Sequence, residues 1–509
     1  MPTVVSQIQS PGRSRFVLTQ VQALICLNVI LIALRFVTAA HLPLSFDESY
    51  FWLWSKHLAL SYYDHPPLIA LTIRAGTLAF GDTELGVRAV SLLCSIAASF
   101  AVWRAGAVLG QQEEPGATAC TLFNLTLMTN SQFIAATPDA LVMAAASFLI
   151  LSLARLQQTG ERRWWLAIAG AVGLALLSKY TALFLATGVG LWCVASREGR
   201  RWMRTPSPYS AAMLASLCFL PALLWNYENN WVSFRFQFGR VTTGGLTYRY
   251  LLELVLAQLA LASPFILAAA LGGLYRASRL WRESLPVLTV AAVVWPALIY
   301  FLFHALHDRV QGNWPSFIYP ALALLAAWEI TQPPLALSRL GRICRRWAIP
   351  SALVLLAAVY LQSWTGAIAV GKQDPLGRMM AFGVKGAAQR IGELAARQHA
   401  AAILTSKYVV TGWLAFYLAH PIPIVQIADQ ERWLEAPKAE TALLRRPLLY
   451  VTQNPARELP LLRARFSTVR FIQEVGRQRG AATLDNFYVY SLSGLHGPAA
   501  GRLVYGAGS

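Results

Sequence analysis

The feature that most constrains this chain is a series of long apolar runs in its first 364 residues. A helix needs about 20 apolar residues to cross a bilayer, and in a membrane every backbone polar group must be satisfied internally. The runs therefore predict an α-helical polytopic membrane protein. About eleven spans are expected, over residues 16–40, 88–109, 117–134, 138–156, 164–178, 180–195, 210–226, 250–275, 285–304, 314–331 and 347–364.

Composition supports a membrane protein and argues against a nucleic-acid partner. Hydrophobic residues make up 56% of the 509 residues and charged residues only 13%, whereas soluble domains usually contain about 25% charged residues. The formal net charge of +19 is explained by the lysine and arginine that membrane proteins concentrate in cytoplasmic loops. The six cysteines include no CxxC pair, so we expect neither a zinc ribbon nor a redox motif.

The positions of the arginines predict the orientation in the membrane. If the N-terminus lies inside, the arginine clusters near residues 155–163, 197–204, 276–282 and 339–346 also fall inside, as the positive-inside rule requires. An odd number of spans then places the C-terminus outside. The first run is too long for a signal-peptide core, and we expect it to remain as the first span.

The pattern changes after residue 364. Residues 365–509 lack long apolar runs. A helical pattern covers 377–398, and short strands are expected at 401–404, 448–452, 469–475 and 487–492. The sequence thus predicts a membrane domain, 1–364, followed by a small α/β domain, 365–509, on the outer side.

The loop after the first span, residues 41–87, is called here the first outer loop. It carries FDESYFWLWS at 46–55 and SYYDHPP at 61–67, which hold three carboxylates and one imidazole among many aromatic residues. Charged groups at a membrane boundary are costly to desolvate and often mark functional sites. We expect an active site in this loop, with short interfacial helices at 48–60 and 67–80.

Two of the acidic candidates also have structural explanations. Ser45 and Glu48 fit the S-x-x-E capping box, in which the glutamate caps a helix start. Thr137, Pro138 and Asp139 fit a helix N-terminus with threonine as the N-cap and proline at the first helical position. On these local patterns alone, Glu48 is explained equally well as a structural cap and as a functional group, and Asp139 is assigned to the helix start rather than to catalysis.

Two further features, a lysine and a pair of histidines, also have more than one explanation. Lys179 interrupts an apolar stretch, where a lysine can bind a phosphate or extend its ammonium to the membrane interface; we favour phosphate. His304 and His307 lie three residues apart beside Asp308, but without a clear third ligand we expect no metal site.

The two motifs of the first outer loop resemble those of bacterial GT-C glycosyltransferases. FDESY at 46–50 followed by YDHPP at 63–67 is similar to the first outer loop of the protein mannosyltransferase and aminoarabinose transferase superfamily, which includes glycosyltransferase family 39-like enzymes. Later segments resemble motifs of the same group in the same order: TPDA at 137–140, SKYT at 178–181, RVQGNWP at 309–315 and LAFYL at 414–418.

The resemblance implies a transferase in the bacterial inner membrane with a periplasmic active site and a periplasmic C-terminal α/β domain. Its partners would be membrane lipids, a polyprenyl-phosphate-linked sugar as donor and a lipid or glycan, such as lipid A, as acceptor. A protein acceptor, as in the O-mannosyltransferases, is the alternative. No metal cofactor is expected. A lipid or solute transporter is the competing class, but the chain shows no internal repeat of the kind common in transporters.

The expected reaction assigns a role to each candidate residue. A hydroxyl acceptor needs a base, and the leaving phosphate gains charge that a nearby cation would stabilise. A single displacement would invert the anomeric centre. Asp47 is the candidate base, and Glu48 and Asp139 would position the acceptor or the sugar. The donor phosphate would be bound by Lys179, with Arg88, Arg235 or Arg240 as helpers. Substrate contacts are expected from Tyr50, Tyr63, Asp64 and His65.

Overall fold

The computed structural model describes residues 11–239, 245–283, 286–333, 336–368, 374–480, 482–497 and 501–506. In these ranges the chain forms 22 α-helices and six β-strands. The helices are α1 (Pro11–His41), α2 (Phe46–Lys56), α3 (Leu68–Phe80), α4 (Glu84–Gly110), α5 (Glu113–Leu125), α6 (Leu127–Ile134), α7 (Pro138–Thr159), α8 (Arg163–Ser178), α9 (Leu183–Ala195), α10 (Arg197–Trp202), α11 (Ser207–Glu228), α12 (Val232–Phe238), α13 (Arg249–Ala262), α14 (Pro264–Arg279), α15 (Val287–His304), α16 (Tyr319–Ile330), α17 (Arg339–Thr365), α18 (Pro375–Met379), α19 (Val384–Arg397), α20 (Tyr408–Tyr417), α21 (Thr441–Leu444) and α22 (Pro455–Arg463). The strands are β1 (Ile403–Thr405), β2 (Ile424–Gln426), β3 (Leu448–Thr452), β4 (Phe466–Arg479), β5 (Ala482–Leu495) and β6 (Arg502–Tyr505).

The helical part confirms the predicted fold class of a polytopic membrane protein. In the part of the chain that the structure describes, α4, α7, α11, α15, α17 and most of α1 are each long and apolar enough to cross a membrane. The pair formed by α13 and α14 makes a seventh candidate if it is counted as one span. Predicted spans 164–178, 180–195 and 314–331 coincide with apolar helices of 10–17 residues, which are shorter than a full crossing requires. The described ranges thus hold fewer full-length spans than the eleven expected.

Two of the predicted spans are interrupted for local reasons. Residues 250–275 form α13 and α14, whose axes differ by 105°. The break lies at Ser263, which has φ +71°, and at Pro264, which has no N–H to continue the helical hydrogen bonding. Residues 117–134 form α5 and α6, because Thr126 adopts an extended backbone and its hydroxyl accepts the N–H of Thr129 as the N-cap of α6.

The first outer loop begins with the predicted capping box. The Ser45 hydroxyl accepts the Glu48 N–H at 3.2 Å, and the Glu48 carboxylate accepts the Ser45 N–H at 2.8 Å. Helix α2 starts there, but it does not lie on an exposed interface as expected. Residues 48–55 are all buried, because the tryptophan and tyrosine side chains that suggested an interfacial helix pack against the C-terminal region.

The C-terminal region contains one six-stranded sheet in the order β4-β5-β3-β1-β2-β6. The central strands β3, β1 and β2 are parallel, and the other pairs are antiparallel. All four predicted strands are present, although β4 and β5 are much longer than expected and β2 and β6 were not predicted. The predicted helix at 377–398 is divided into α18 and α19 by Gly383, where φ is +73° and a Cβ atom would lie 2.2 Å from the Gln478 carbonyl oxygen.

The first outer loop and the C-terminal region share one hydrophobic core. Trp54 and Tyr62 of the loop stack with ring centroids 4.3 Å apart, and they belong to the same buried cluster as Trp413 and Trp433. Helix α20 lies so close to α2 that a Cβ atom on Gly412 would be 2.6 Å from the Ser49 hydroxyl oxygen. The C-terminal domain therefore packs on the loop as a continuous structure.

We expect Gly412→Ala to destabilise this contact, because the added methyl group would overlap Ser49. Overpacking of this kind costs about 1–3 kcal/mol. The matched control is Gly386→Ala on the exposed face of α19, where a Cβ atom meets nothing within 4 Å. That change should stabilise the helix by about 0.5–1 kcal/mol. Thermal unfolding in detergent measures both, and a Gly412→Ala protein as stable as the control would contradict the close packing.

Candidate active site

The candidate site lies where the first outer loop, the start of α7 and the C-terminal domain meet. Asp47 and Tyr50 are three residues apart on α2, a spacing that brings helical side chains together. The Tyr50 hydroxyl donates to Asp64 Oδ2 at 2.9 Å. Asp64 and Asp139 are both close enough to Asp47 to influence its ionisation. The structure thus brings three of the predicted site carboxylates into one region.

Glu48, the residue after Asp47 on α2, forms a buried ion pair with Arg88. The side chains of both residues are 0% exposed. Arg88 Nε and Nη2 donate to the two Glu48 carboxylate oxygens at 2.6 and 2.8 Å. The remaining bonds from Arg88 go to the carbonyl oxygens of Ala39, Leu42 and Pro43 at 2.6–2.8 Å.

This placement argues against two of the predicted roles. The five N–H groups of an arginine all have acceptors in the Arg88 contacts, so Arg88 has no donor left for a substrate phosphate. Glu48 accepts from Arg88, from Ser45 and from the Ala136 N–H at 3.0 Å, and it is not placed to hold acceptor or sugar. Burial would raise the pKa of Glu48, but the Arg88 charge and these hydrogen bonds outweigh burial and hold the pKa below its usual value.

Asp139 and Lys179 form a second buried pair at the start of α7. Lys179 Nζ donates to both Asp139 carboxylate oxygens at 2.8 and 2.9 Å, and the two side chains are only 7% and 5% exposed. Asn313 Nδ2 donates to Asp139 at 3.1 Å and the Ser316 hydroxyl also donates to it. Thr137 caps α7 as predicted, with Pro138 at the first helical position.

Asp47 differs from these paired carboxylates. It is half-buried, and no ion pair to it occurs among the residues that the structure describes. The Tyr408 hydroxyl lies 3.5 Å from Asp47 Oδ1. Burial, together with the nearby Asp64 charge, raises the pKa of Asp47 to about 7, against the lowering effect of Tyr408 and Arg432. A carboxyl group with this pKa is suited to accept a proton near neutral pH.

Asp64 is held by an arginine that the sequence analysis did not identify. Arg432 Nη1 donates to Asp64 Oδ2 at 2.5 Å. The Arg432 guanidinium also lies over four aromatic rings, at 4.9 Å from Tyr408, 5.2 Å from Tyr63, 5.8 Å from Phe236 and 5.9 Å from Tyr50. Predicted substrate residues Tyr50, Tyr63 and Asp64 therefore form one cluster around Arg432.

The remaining predicted residues are placed as follows. The His65 ring lies 5.9 Å from the Phe51 ring, beside the Asp64 cluster. Arg235 is exposed on α12, the short helix that also carries Phe236. Arg240 lies outside the described residues. Within the described part of the chain, no three His, Cys, Asp or Glu residues are grouped to hold a metal ion, and this includes His304 and His307.

Sequence reasoning missed Tyr408, Arg432, Asn313 and Ser316 as members of the site. Asn313 lies inside the RVQGNWP segment, so the resemblance offered a signal for that residue. Tyr408 and Arg432 follow short strands of the C-terminal domain. Tyr408 begins α20, the helix that carries most of the LAFYL segment, but neither residue belongs to a motif. Only the fold brings them to α2.

We expect Glu48→Gln to destabilise the whole protein, because it leaves the Arg88 charge buried without its partner. Breaking a buried pair in this way costs about 3–5 kcal/mol. The matched control is Arg104→Gln, which breaks an ion pair with Glu113 whose side chains are 31% and 52% exposed, worth about 0–1 kcal/mol. Thermal unfolding distinguishes the two. A Glu48→Gln protein of normal stability but without activity would restore a substrate role for Glu48.

Comparison with known proteins agrees with the motifs. Residues 64–225 match the family described as dolichyl-phosphate-mannose-protein mannosyltransferase. The lipid A galacturonosyltransferase RgtD of Rhizobium johnstonii is 27% identical over 285 residues, which cover 55% of this chain and 59% of that protein. The chain thus aligns with only about three fifths of the length of this relative.

Solved structures show the fold. The crystal structure of apo ArnT from Cupriavidus metallidurans superposes with a TM-score of 0.64 at 15% identity, covering 94% of this chain and 100% of ArnT. The same protein bound to undecaprenyl phosphate gives 0.62 at 16% identity, covering 93% and 99%. Together these similarities agree with the resemblance seen in the motifs: residues 64–225 match the mannosyltransferase family model, and the chain shares the fold of ArnT.

Proposed function

We propose that the chain is an integral membrane glycosyltransferase that moves a sugar from a polyprenyl-phosphate donor to an acceptor at the periplasmic face of the bacterial inner membrane. The observation that carries this proposal is the Asp47 carboxyl group. It lies among paired charges at one end of a helical bundle, and its pKa of about 7 suits a proton acceptor.

The donor class is supported by the fold and by the buried cation. ArnT, which has the same fold, binds undecaprenyl phosphate. When a polyprenyl phosphate leaves the sugar, negative charge develops on it, and a fixed cation in a dry site lowers the barrier. Lys179 is our candidate, since Asp139 holds its ammonium group in place with two of its three N–H groups. Arg235 is exposed on α12 and remains a second candidate, as does Arg240.

The reaction that this geometry supports is a single displacement. The acceptor hydroxyl oxygen attacks the anomeric carbon, and the bond from that carbon to the phosphate oxygen breaks. The hydroxyl proton passes to Asp47, and the polyprenyl phosphate leaves with its electron pair. The anomeric centre is inverted. Asp139 acts by orienting Lys179, and the cluster around Arg432 forms the wall beside Asp47.

Lipid A is the acceptor that we favour, because the relative RgtD is named for transfer of galacturonic acid to lipid A. Purified protein in lipid would be given labelled polyprenyl-phosphate sugars with lipid A or with a peptide pool. We expect label to move to lipid A, and we expect Asp47→Asn to abolish transfer while the protein still folds and binds donor. Transfer to peptide instead would favour a protein acceptor, and transfer at a normal rate by Asp47→Asn would remove Asp47 as the base.

The pH dependence of the reaction should follow Asp47. The group works as a base only when ionised, so the value of kcat/KM is expected to rise with pH, to bend near pH 7 and to level off above it. Below the bend it should fall about tenfold per pH unit. Initial rates at low donor concentration measure this curve. A curve that is flat from pH 5 to pH 8 would show that ionisation of Asp47 does not limit the reaction.

A further inference from the structure

The C-terminal domain turns the carboxyl ends of its parallel strands toward the candidate active site. Tyr408 follows the end of β1 by three residues, and Arg432 follows the end of β2 by six. Strand β1 lies between β2 and β3, so the chain order reverses beside β1. In open α/β sheets, ligand sites lie at the carboxyl ends of the strands at such a reversal. Here the residues from that edge contact Asp47 and Asp64 of the first outer loop.

Arg432 joins several elements at this edge. Its partner Asp64 lies in the first outer loop, and the rings around its guanidinium come from α2, the first outer loop, α12 and α20. The side chains of Arg432 and Asp64 are 19% and 14% exposed. A guanidinium is suited to this place, since it can donate in its plane while its faces contact aromatic rings.

We infer that Arg432 is a positioning residue of the active site. By binding Asp64 in a salt bridge it offsets the charge of that carboxylate, and it leaves the neighbouring Asp47 as the proton acceptor. This inference rests on the proposed role of Asp47. Arg432 is not required to touch the substrate, because it acts through Asp64.

The charge of Arg432 matters for Asp47 because the neighbouring carboxylates of Asp47 and Asp64 repel each other. Two carboxylates that share a site raise each other's pKa, and a nearby cation opposes the effect. The groups that face Asp47 are Asp64, Arg432, Tyr408 and Asp139, which is itself paired with Lys179. Asp64 also faces the buried Glu435 carboxyl group, whose pKa burial raises to about 8.

Loss of the Arg432 charge would leave Asp64 uncompensated beside Asp47. The protonated form of Asp47 would then be favoured more strongly, and a higher pH would be needed to ionise it. Asp47 would then be protonated at neutral pH, so it could not accept a proton there although its side chain is still present.

The experiment compares Arg432→Gln and Arg432→Lys in the full chain in lipid, with Arg470→Gln as the control. Arg470 is exposed on β4, on the same domain as Arg432. In Arg432→Gln, the pH at which the kcat/KM curve bends should rise by about one unit. The value of kcat/KM should therefore be about tenfold lower than in the unmodified protein at low pH and should recover at high pH. Arg432→Lys should keep the bend within a few tenths of a unit of its position in the unmodified protein. Arg470→Gln should leave the curve unchanged.

A second variant separates a charge effect from structural damage. Adding Asp64→Asn to Arg432→Gln removes both charges and should return the bend toward its original pH. Damage to the packing around Arg432 would not be repaired by a second substitution there. An equal loss of activity at every pH in Arg432→Gln, without return in the double variant, would overturn the inference.

A measurement that does not need turnover distinguishes this inference from the proposed function. Infrared difference spectra against pH show the carbonyl band of a protonated carboxyl group, and the band missing in Asp47→Asn is assigned to Asp47. Its midpoint should rise in Arg432→Gln and return in the double variant. A shifted midpoint in a protein that transfers no sugar would refute the function alone, whereas transfer with an unshifted midpoint would refute the role of Arg432.

Discussion

The arrangement of the site depends on the buried pair of Arg88 and Glu48. Arg88 stands in the first turns of α4 and binds carbonyl oxygens at and just beyond the end of α1, while Glu48 caps α2 and accepts the N–H of Ala136, two residues before α7 begins. A pair of charges removed from water is stable only when its hydrogen bonds are complete, so these four chain segments have little freedom to move apart. Asp47 on α2 and Asp139 on α7 are thereby set in fixed relation.

The charges around the site divide its carboxyl groups into two kinds. Glu48, Asp139 and Asp64 each bind a cation, Arg88, Lys179 and Arg432 respectively. Asp47 has no such partner among the described residues, and burial beside Asp64 raises its pKa. Environments that separate the pKa values of neighbouring groups are how a protein assigns acid and base roles to chemically identical side chains. The paired carboxylates are each held by a cation, and Asp47 is the one that the proposed mechanism uses to accept a proton.

The parts of the structure that could be predicted from the sequence are those set by local patterns. The capping box of Ser45 and Glu48 and the helix start at Thr137 depend on residues within three positions, and both were found. The partner of Glu48 lies 40 residues away and that of Asp64 lies 368 residues away, distances at which spacing carries no information. The bend within the span expected over 250–275 was not predicted for a different reason. The period of its apolar residues continues through Ser263 and Pro264, so the pattern does not show the break.

The C-terminal domain is part of the site rather than an appendage of it. Its core continues into α2 through Trp413 and Trp433, and residues that follow the carboxyl ends of β1 and β2 contact Asp47 and Asp64 of the first outer loop. A loop alone at the end of a membrane bundle would expose its carboxylates to water, where their pKa values stay near the usual range. Covering that loop with the edge of a sheet excludes water, and the arginine that this edge supplies forms an ion pair with one of the two neighbouring carboxylates. The domain therefore supplies both the burial that raises the pKa of Asp47 and the cation that limits the rise.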